Sequence, residues 1–307
     1  MKREKEVVPM SHIKKSTASK IFDFCNALFM VVFCITILFP LWDVIVRSFS
    51  RPQDISYMSV NLFPKHFTVD AYSYCLENEG LIPALLMSIS RTVLGTLLHL
   101  VVVSLAAYAL TRPQMPFKNL IQTFFLIPMF VGAGTIPVYI NMQNLGLTNN
   151  FLVYILPSSF SIFNCIIVRN YFFSIDKGME ESASIDGATQ FKIFTSIIIP
   201  LSKPVLATVA LWQMVGQWNA WFDNMMYNQG NKKLLTLQYM LRRMLDRLNT
   251  SGSSSVSGVD AMGVTVDASE DTVKAAVTVI VVLPIVCVYP FVQKYFVKGI
   301  MVGAVKG

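Results

Sequence analysis

Charged residues are scarce in this sequence, and their scarcity argues against a soluble fold. They account for 14% of the 307 residues, whereas a soluble domain typically contains about 25%. Hydrophobic residues account for 54%, which indicates a chain whose solvent is lipid. The net charge of +7 does not indicate a nucleic-acid partner, because the basic residues form no stripe with interleaved aromatic residues. They gather beside apolar segments, as they do in membrane proteins.

Residues for disulfide, metal and catalytic chemistry are equally few. The five cysteines include no CxxC pair and lie mostly inside apolar runs, so neither a disulfide framework nor a zinc site is indicated. Of the three histidines, His99 lies within an apolar run, and we expect it to be hydrogen-bonded between helices rather than to act as a ligand or proton relay. There is no GxxxxGK[ST] motif, so the chain cannot cradle the phosphates of ATP. We therefore predict no catalytic residues, no metal and no cofactor bound by this chain.

Long apolar runs are what the sequence has in abundance. A helix needs about 20 apolar residues to cross the hydrocarbon of a membrane, and six runs are long enough. They lie at 21–46, 90–110, 120–140, 152–172, 205–227 and 273–296. The first run exceeds the apolar core of a signal peptide and lacks a small-x-small cleavage site, so we interpret it as a retained helix. The predicted fold is an all-α polytopic membrane protein with six transmembrane helices in residues 21–307, after a cytoplasmic segment in residues 1–20.

The distribution of Lys and Arg orients the predicted helices. If the N-terminus is inside, the segments that face the cytoplasm hold about twice as many basic residues as the outer segments. This predicts that both termini are cytoplasmic, that a loop at 178–204 lies inside and that a loop at 228–271 lies outside. The outer loop is itself basic, which reduces the excess of Lys and Arg on the inner side. Its first part has leucine and methionine residues at the spacing of an amphipathic helix.

The inner loop contains the acidic, glycine-broken stretch EESASIDGATQFKIFTSIIIPLSKP between two apolar runs. Its acids stand where a short helix begins, and the helix dipole favours them there. Ala183 and Gly187 are four residues apart and predict a face with almost no side chain, which another protein can approach closely. Gly187 is also predicted to break the helix. The residues predicted to hold the second piece to the membrane helices are Phe191, Phe194 and Ile197. The alternative is an ordinary interfacial amphipathic loop.

This stretch resembles the cytoplasmic EAA loop of ABC-importer permeases. The family pattern is EAA, three residues, G, nine residues and I-x-L-P, and the chain matches it from Glu181 to Pro200 with Ser182 and Ile199 as mild departures. Further segments are similar to permeases of carbohydrate importers, specifically to the second of their two permease subunits. They are AYALTRPQMPFK at 107–118, LGLTNN at 145–150, QWNAWFD at 217–223 and VKGIMVGAVKG at 297–307. Within that group the chain most resembles the LplC/YtcP-type permeases, which are linked to oligosaccharides derived from polysaccharides.

The resemblance implies a mechanism and a set of partners. The loop at 178–204 would form a coupling helix that docks into a cleft on a separate ATPase subunit, where ATP and Mg²⁺ bind. The residues with this implied coupling role are Glu180, Glu181, Ser182, Ala183, Asp186, Gly187, Ala188, Ile197 and Pro200. Two ATPase copies, a second homologous permease and an extracellular sugar-binding protein are the implied partners. The implied function is that of a permease subunit in a bacterial plasma membrane, which forms half of the pathway of an ATP-driven oligosaccharide importer; an importer of a non-sugar solute is the alternative.

The fifth apolar run offers candidate contacts for the sugar. Gln213, Gln217 and Asn224 share one side of a continuous helix, with Trp221 at its edge. Amides are costly against lipid, so this stripe should face protein or water, and an aromatic ring can stack on a sugar. Helix packing through amide hydrogen bonds is the alternative. Arg91 is expected either to line the pathway or to anchor its helix by reaching the membrane interface.

Overall fold

The computed structural model of the chain describes residues 16–55, 62–77, 80–250 and 270–304. Within these ranges the only strand-like pairing is an isolated antiparallel bridge between Ser50 and Phe67. The α-helices are α1 (Thr17–Ser48), α2 (Asp70–Glu77), α3 (Leu81–Thr111), α4 (Lys118–Phe130), α5 (Thr135–Asn144), α6 (Ile162–Phe173), α7 (Lys177–Ile185), α8 (Gln190–Ile193), α9 (Ile199–Leu201), α10 (Lys203–Asn219), α11 (Phe222–Tyr227), α12 (Leu237–Thr250) and α13 (Glu270–Ala304). A π-helical segment, Phe194–Ile198, joins α8 to α9, and short 3-10 segments lie at Pro52–Asp54, Phe151–Tyr154 and Lys232–Leu234. Most of the predicted segment 1–20, the outer-loop residues 251–269 and residues 305–307 lie outside the described residues.

Two of the predicted spans are continuous helices, α1 with 32 residues and α3 with 31 residues. Both are long and apolar enough to cross a membrane. A helix of this length extends over about 46 Å, which exceeds the hydrocarbon thickness of about 30 Å. α13, with 35 residues, contains the predicted last span. The side chains of α1 are apolar and almost all exposed, as expected of a helix that lies against lipid or another membrane subunit.

Two further apolar stretches are bent pairs of helices. α4 and α5 meet at 119°, because the chain leaves the helix at Val131, whose backbone is extended, and turns at Gly134, whose φ of 79° suits glycine. The helical run Gln190–Leu201 meets α10 at 78°, with the break at Ser202. By length and composition, two of the described helices can cross a membrane, or up to four spans exist if each bent pair is one. The count of six spans therefore stays a prediction.

The prediction of one helix over 152–172 is wrong in its first half, because helix α6 begins only at Ile162. Pro157 disfavours helical backbone at the residue before it. The hydroxyls of Ser158 and Ser159 donate to backbone carbonyls three or four residues earlier. Ser161 then caps α6, because its side chain accepts a hydrogen bond from a backbone N–H in the first turn.

The prediction of one helix over 205–227 is also wrong, because α10 and α11 are separate helices. Ala220 lies between them with extended backbone at φ −72° and ψ 123°. Its carbonyl oxygen accepts a hydrogen bond from Nη1 of Arg91 at 3.3 Å, so a bond to α3 stabilises the break. Side chains before and after Ala220 consequently do not follow one helical face, as the predicted stripe required.

α3 lies at the centre of the packing. One core cluster joins α3 to α6, α8, the π-helical segment and α10, and its fully buried members include Val103, Val168, Ile198 and Val209. A second cluster joins the first turn of α3 to α2, α12 and α13. Close approach of α3 to α10 depends on Gly95, since a Cβ added there would lie 2.8 Å from a side-chain nitrogen of α10.

Candidate functional site

The loop predicted to couple to an ATPase folds as two short helices with a defined break. α7 begins where the side chain of Asp176 accepts a hydrogen bond from Gly178 N at 3.0 Å. It ends at Ile185, and the chain then turns at Gly187, which has a φ of 76°. The backbone N–H of Ala188 donates to the carbonyl of Ala183 at 2.9 Å, and the N–H of Gly187 donates to the carbonyl of the residue three positions earlier at 3.1 Å. This pair of bonds is a Schellman C-cap, and it confirms the predicted break at Gly187.

An ion pair holds the first turn of α7 to the end of α3. Arg112 donates from Nη1 to Oε2 of Glu180 at 2.6 Å and from Nη2 to Oε1 at 3.1 Å. Such bidentate pairs between guanidinium and carboxylate groups fix geometry as well as adding energy. The guanidinium also lies over the ring of Tyr108, 4.2 Å from its centroid. The Tyr108 hydroxyl in turn lies 3.1 Å from Oε1 of Gln190, the first residue of α8. Glu180 is thus bonded within the chain.

Two alanines of the loop face the chain's own helices, whereas Gly187 is exposed and has open space beside it, as the prediction of a small, accessible face requires. Ala183 and Ala188 are half-buried and pack against the core cluster around α3 and α6. Their small size allows α7 to lie close to that core, which is a different use from the predicted approach of a partner. On the other face Glu181, Ser182 and Asp186 are exposed, and Ile185 is 87% exposed. Whether these residues contact an ATPase stays a prediction.

The second piece of the loop is held by a different set of residues from the one predicted. Phe194 is buried and Ile197 is packed against the core cluster, as predicted, but Phe191 is 67% exposed. Ile193 and Ile198 are buried in its place. The π-helical segment contributes to the burial of Ile198, because it adds a residue to the turn and changes which of the later side chains face the core. A further coupling residue of the predicted set, Pro200, is exposed within α9.

A second cluster of polar residues surrounds Arg91, which is 2% exposed. Its guanidinium donates from Nη2 to Oδ2 of Asp223 at 2.5 Å and from Nη1 to Oδ1 at 3.1 Å. It also donates from Nε and Nη2 to Oε1 of Gln217, at 3.1 and 2.9 Å. The ring of Tyr154 lies 4.4 Å from the guanidinium carbon. The expectation of an anchor that reaches the membrane interface is wrong for Arg91, because its charge is neutralised inside the chain.

The four predicted pathway residues are found in different environments. Gln217 is 4% exposed and donates from Nε2 to the carbonyl of Tyr154 at 3.1 Å. Asn224 is 0% exposed and its Oδ1 accepts a hydrogen bond from the backbone N–H of Thr236, the residue before α12, at 3.0 Å. Gln213 is half-buried. Trp221 is half-buried beneath the guanidinium of an α12 arginine. Helix packing explains the buried pair in this structure, and contact with substrate stays a prediction.

His99 confirms the expectation of a hydrogen-bonded residue between helices. It is fully buried, with Nδ1 2.8 Å from the carbonyl oxygen of Ser158 and Nε2 2.9 Å from Nδ2 of Asn164. Both bonds are satisfied when Nδ1 carries the proton, because a carbonyl accepts and an amide nitrogen donates. In the described part of the chain no three His, Cys, Asp or Glu residues are placed to hold a metal ion.

The partners that hold these sites together are Arg112, Asp223 and Gly95, to which the sequence alone assigns no site role. The spacing of Gly95 from other residues carries no signal. For the first two, the signal was the isolated opposite charges in otherwise apolar segments, since a charge near lipid usually has a partner.

The two polar clusters lie at different levels along α3. Arg91 and Arg112 are separated by 21 residues of continuous helix, or about 32 Å at 1.5 Å per residue. That separation is similar to the thickness of a bilayer's hydrocarbon core, about 30 Å. The fold and these clusters together define an integral membrane protein with a short polar helix, α7, at one end.

Comparison with known proteins identifies the family. The model of the binding-protein-dependent transport system inner membrane components matches residues 100–302. The chain therefore belongs to this family of transport permeases, and the resemblance found in the residue motifs is confirmed.

Two curated relatives and one solved structure extend this result. The chain is 38% identical to protein LplC of Bacillus subtilis, over 94% of this chain and 96% of the relative. It is 33% identical to the polygalacturonan/rhamnogalacturonan transport system permease protein YtcP of the same organism, over 94% of this chain and 99% of the relative. A chain in the crystal structure of a bacterial ABC transporter involved in the import of the acidic polysaccharide alginate superposes with a TM-score of 0.81. That chain is 31% identical, with 92% of this chain and 99% of the other covered.

Proposed function

We propose that this chain is the permease subunit of an ATP-driven importer of oligosaccharides. It forms half of the pathway and crosses the bacterial plasma membrane six times, with both termini in the cytoplasm. A second, homologous permease forms the other half. Two separate ATPase subunits bind ATP and Mg²⁺ and contact the coupling segment, residues 178–204, and this chain binds no cofactor itself.

The observation that carries this proposal is the exposed face of α7. The helix is held to α3 through Glu180 and to the core through Ala183 and Ala188, so its outer face belongs to a rigidly attached element. That face presents Ile185, which is 87% exposed, beside the carboxylate of Asp186. Burying such a side chain in a cleft of a partner would contribute about 1.5–3 kcal/mol. An apolar residue flanked by acids fits a cleft with an apolar floor and a basic rim.

The positions of the polar clusters support the part of the proposal that places the loops at 178–204 and 228–271 on opposite sides of the membrane. Glu180 and Gln190, from the predicted inner loop, meet the end of α3 at Arg112. Asp223, near the predicted outer loop, meets α3 at Arg91. Segments predicted to lie on one side of the membrane thus gather at the same level of α3, about 32 Å from those of the other side.

The relatives support an oligosaccharide as the substrate. YtcP is named for polygalacturonan and rhamnogalacturonan, and the solved transporter imports alginate. A related structure, whose 14% identity supports the fold alone, contains an alginate pentasaccharide-bound periplasmic protein. An extracellular sugar-binding protein that delivers the substrate to this chain is part of the proposal, because the family to which the chain belongs is binding-protein-dependent. These relatives do not favour the alternative of a non-sugar solute.

The experiment that tests the coupling role is Ile185→Glu in the assembled transporter. We expect the variant to reach the membrane at the normal level, because Ile185 packs against no described part of the chain core. Co-purification of the ATPase and uptake of labelled oligosaccharide should both fall at least tenfold, since the change removes apolar burial worth about 1.5–3 kcal/mol and adds a charge. Both quantities are normalised to the amount of permease in the membrane.

The matched control is Leu145→Glu, which adds the same charge at a residue 62% exposed near the proposed outer side. This variant should retain the ATPase during purification. If Ile185→Glu also retained the ATPase and full uptake, α7 would be an interfacial connector and the coupling role would be lost.

A further inference from the structure

The outer loop is more basic than the orientation rule favours, and the proposed coupling function does not use these charges. Positive residues outside the membrane oppose the usual bias that sets topology. Arg242, in α12, is engaged within the chain, because it pairs with Asp246 at 3.2 Å and lies over the ring of Trp221. Lys232 and Lys233 are different: both are exposed, and neither has a salt bridge within the described ranges.

The two lysines border an open pocket of about 510 Å³. Its volume is within the range of about 300–1,000 Å³ that is typical of small-ligand sites. The side chains that line it are Asn149, Tyr227, Asn228, Asn231, Lys232 and Lys233. The lining thus offers amides, one aromatic ring and two cations, and it includes no acidic residue.

Hydrogen bonds between distant segments hold the pocket in shape. The backbone N–H of Asn149 donates to the carbonyl of Tyr227 at 3.0 Å. Nδ2 of Asn231 donates to Oδ1 of Asn149 at 2.8 Å, and Oδ1 of Asn231 accepts from the backbone N–H of Lys233 at 3.0 Å. The ring of Tyr227 is stacked on Tyr139 at 5.8 Å between centroids. The loop from α5 and the loop after α11 therefore form one preorganised site.

One lining residue retains an unused acceptor. Asn228 is 2% exposed, and its Oδ1 has no hydrogen-bond partner in the part of the chain that the structure describes. Buried polar atoms are normally paired, and a hydroxyl group is a donor that can satisfy an amide oxygen. A ligand with many hydroxyl groups therefore suits the amide oxygen of Asn228, and it suits the other amides of the lining in the same way.

We propose that this pocket binds the carboxylate of an acidic, uronate-containing oligosaccharide on the outer side of the membrane. Lys232 and Lys233 supply the charge for the carboxylate, the amides bond to hydroxyl groups, and Tyr227 packs against a sugar ring. The proposal rests on the proposed function and its orientation, and it narrows the substrate class from oligosaccharides in general to acidic ones. It also accounts for basic residues on the side where topology disfavours them.

The test compares two probes of equal size in intact cells with the complete transporter, trigalacturonate and its fully methyl-esterified form. In the double variant Lys232→Gln/Lys233→Gln, the KM for uptake of the acid should rise about three- to tenfold, the change expected when two exposed charge interactions are lost. The KM for the neutral ester should stay within twofold of the parent value. Because the binding protein is unchanged, its own preference cancels in the comparison of variant with parent.

Two control variants separate charge from other effects. Lys232→Arg/Lys233→Arg keeps the charges and should retain the parent KM for the acid. Arg242→Gln removes a nearby basic residue that already has a partner, and it should leave both probes unaffected. Equal loss of both probes in the double glutamine variant would indicate a surface for the binding protein and would overturn the proposal.

The remaining outcomes are also decisive. No change for either probe would overturn the proposal. Uptake of neutral oligosaccharides by the parent transporter without uptake of acidic ones would overturn it while leaving the proposed function intact. Failure of the parent to transport any oligosaccharide would refute the proposed function, and the acidic-sugar site with it.

Discussion

The buried pair of Arg91 and Asp223 allows a prediction in which the two single substitutions are unequal. Asp223→Ala leaves the guanidinium of Arg91, which is 2% exposed, without its counter-charge. Removing one partner of a buried ion pair costs about 3–5 kcal/mol. Arg91→Met leaves Asp223, which is 24% exposed and within reach of water, so the main loss is that of hydrogen bonds to Gln217. We expect a cost of about 1–3 kcal/mol for that variant.

The double variant Arg91→Met/Asp223→Ala removes both charges and should lose less stability than the sum of the losses in the two single variants. The expected coupling energy is about 2 kcal/mol, within the range for residues in direct contact. The assay is the apparent unfolding midpoint of the purified transporter in mixed micelles, compared between the parent, the two single variants and the double variant. The control is the exposed pair of Arg242 and Asp246, at 51% and 55%, whose cycle should give only about 0.3–0.5 kcal/mol.

Additive effects of Arg91→Met and Asp223→Ala would refute this reasoning. A larger loss of stability for Arg91→Met than for Asp223→Ala would also refute it. That result would mean that the partly exposed carboxylate, and not the buried guanidinium, is the group whose burial requires a counter-charge. Either result would show that the geometry of this cluster does not set the stability of the contact between α3 and the α10–α11 break.

Three further predictions concern packing, backbone and topology. Gly95→Ala should lower stability by about 1–3 kcal/mol, because its Cβ would lie 2.8 Å from a buried amide. The control Gly216→Ala, with nothing within 4 Å of its Cβ, should be neutral or stabilising by up to about 1 kcal/mol. Thermal unfolding of both variants tests the difference, and equal midpoints would contradict the close contact at Gly95. Gly187→Ala should weaken ATPase co-purification more than Gly187→Asn, since the left-handed backbone costs a residue such as alanine about 1–2 kcal/mol and asparagine tolerates it better; equal effects would contradict the role of the C-cap. In a cysteine-free background, Gln229→Cys should react with an impermeant thiol reagent in intact cells and Gln114→Cys only after permeabilisation, and the reverse pattern would refute the proposed orientation.

Local chemistry made part of this protein predictable. Continuous apolar runs predicted α1 and α3, because lipid-facing helices need no polar side. Gly187 predicted the end of α7, since a left-handed C-cap favours glycine. His99 could be assigned a packing role because a lone polar group in an apolar run needs partners. Motif spacing predicted the family.

The errors arose where distant residues decide local backbone. Apolar composition over 205–227 is compatible with one helix, but Arg91, more than a hundred positions earlier, donates a hydrogen bond to the carbonyl of Ala220 at the break. The π-helical segment that contains Ile198 likewise packs against the core cluster of α3 and α6. Pairings such as Arg112 with Glu180 cannot be deduced from spacing in a single sequence, because nothing local specifies which acid a given base will meet.

The two arginines of α3 also limit how this chain can change shape. Arg112 fastens the coupling segment to one level of the helix and Arg91 fastens the α10–α11 break to another. A straight α-helix resists compression and bending over about 32 Å. As long as both ion pairs persist, a push on α7 must therefore displace the α10–α11 break in the same motion and with little delay. Any motion that separates the two regions has to begin by breaking one of these contacts.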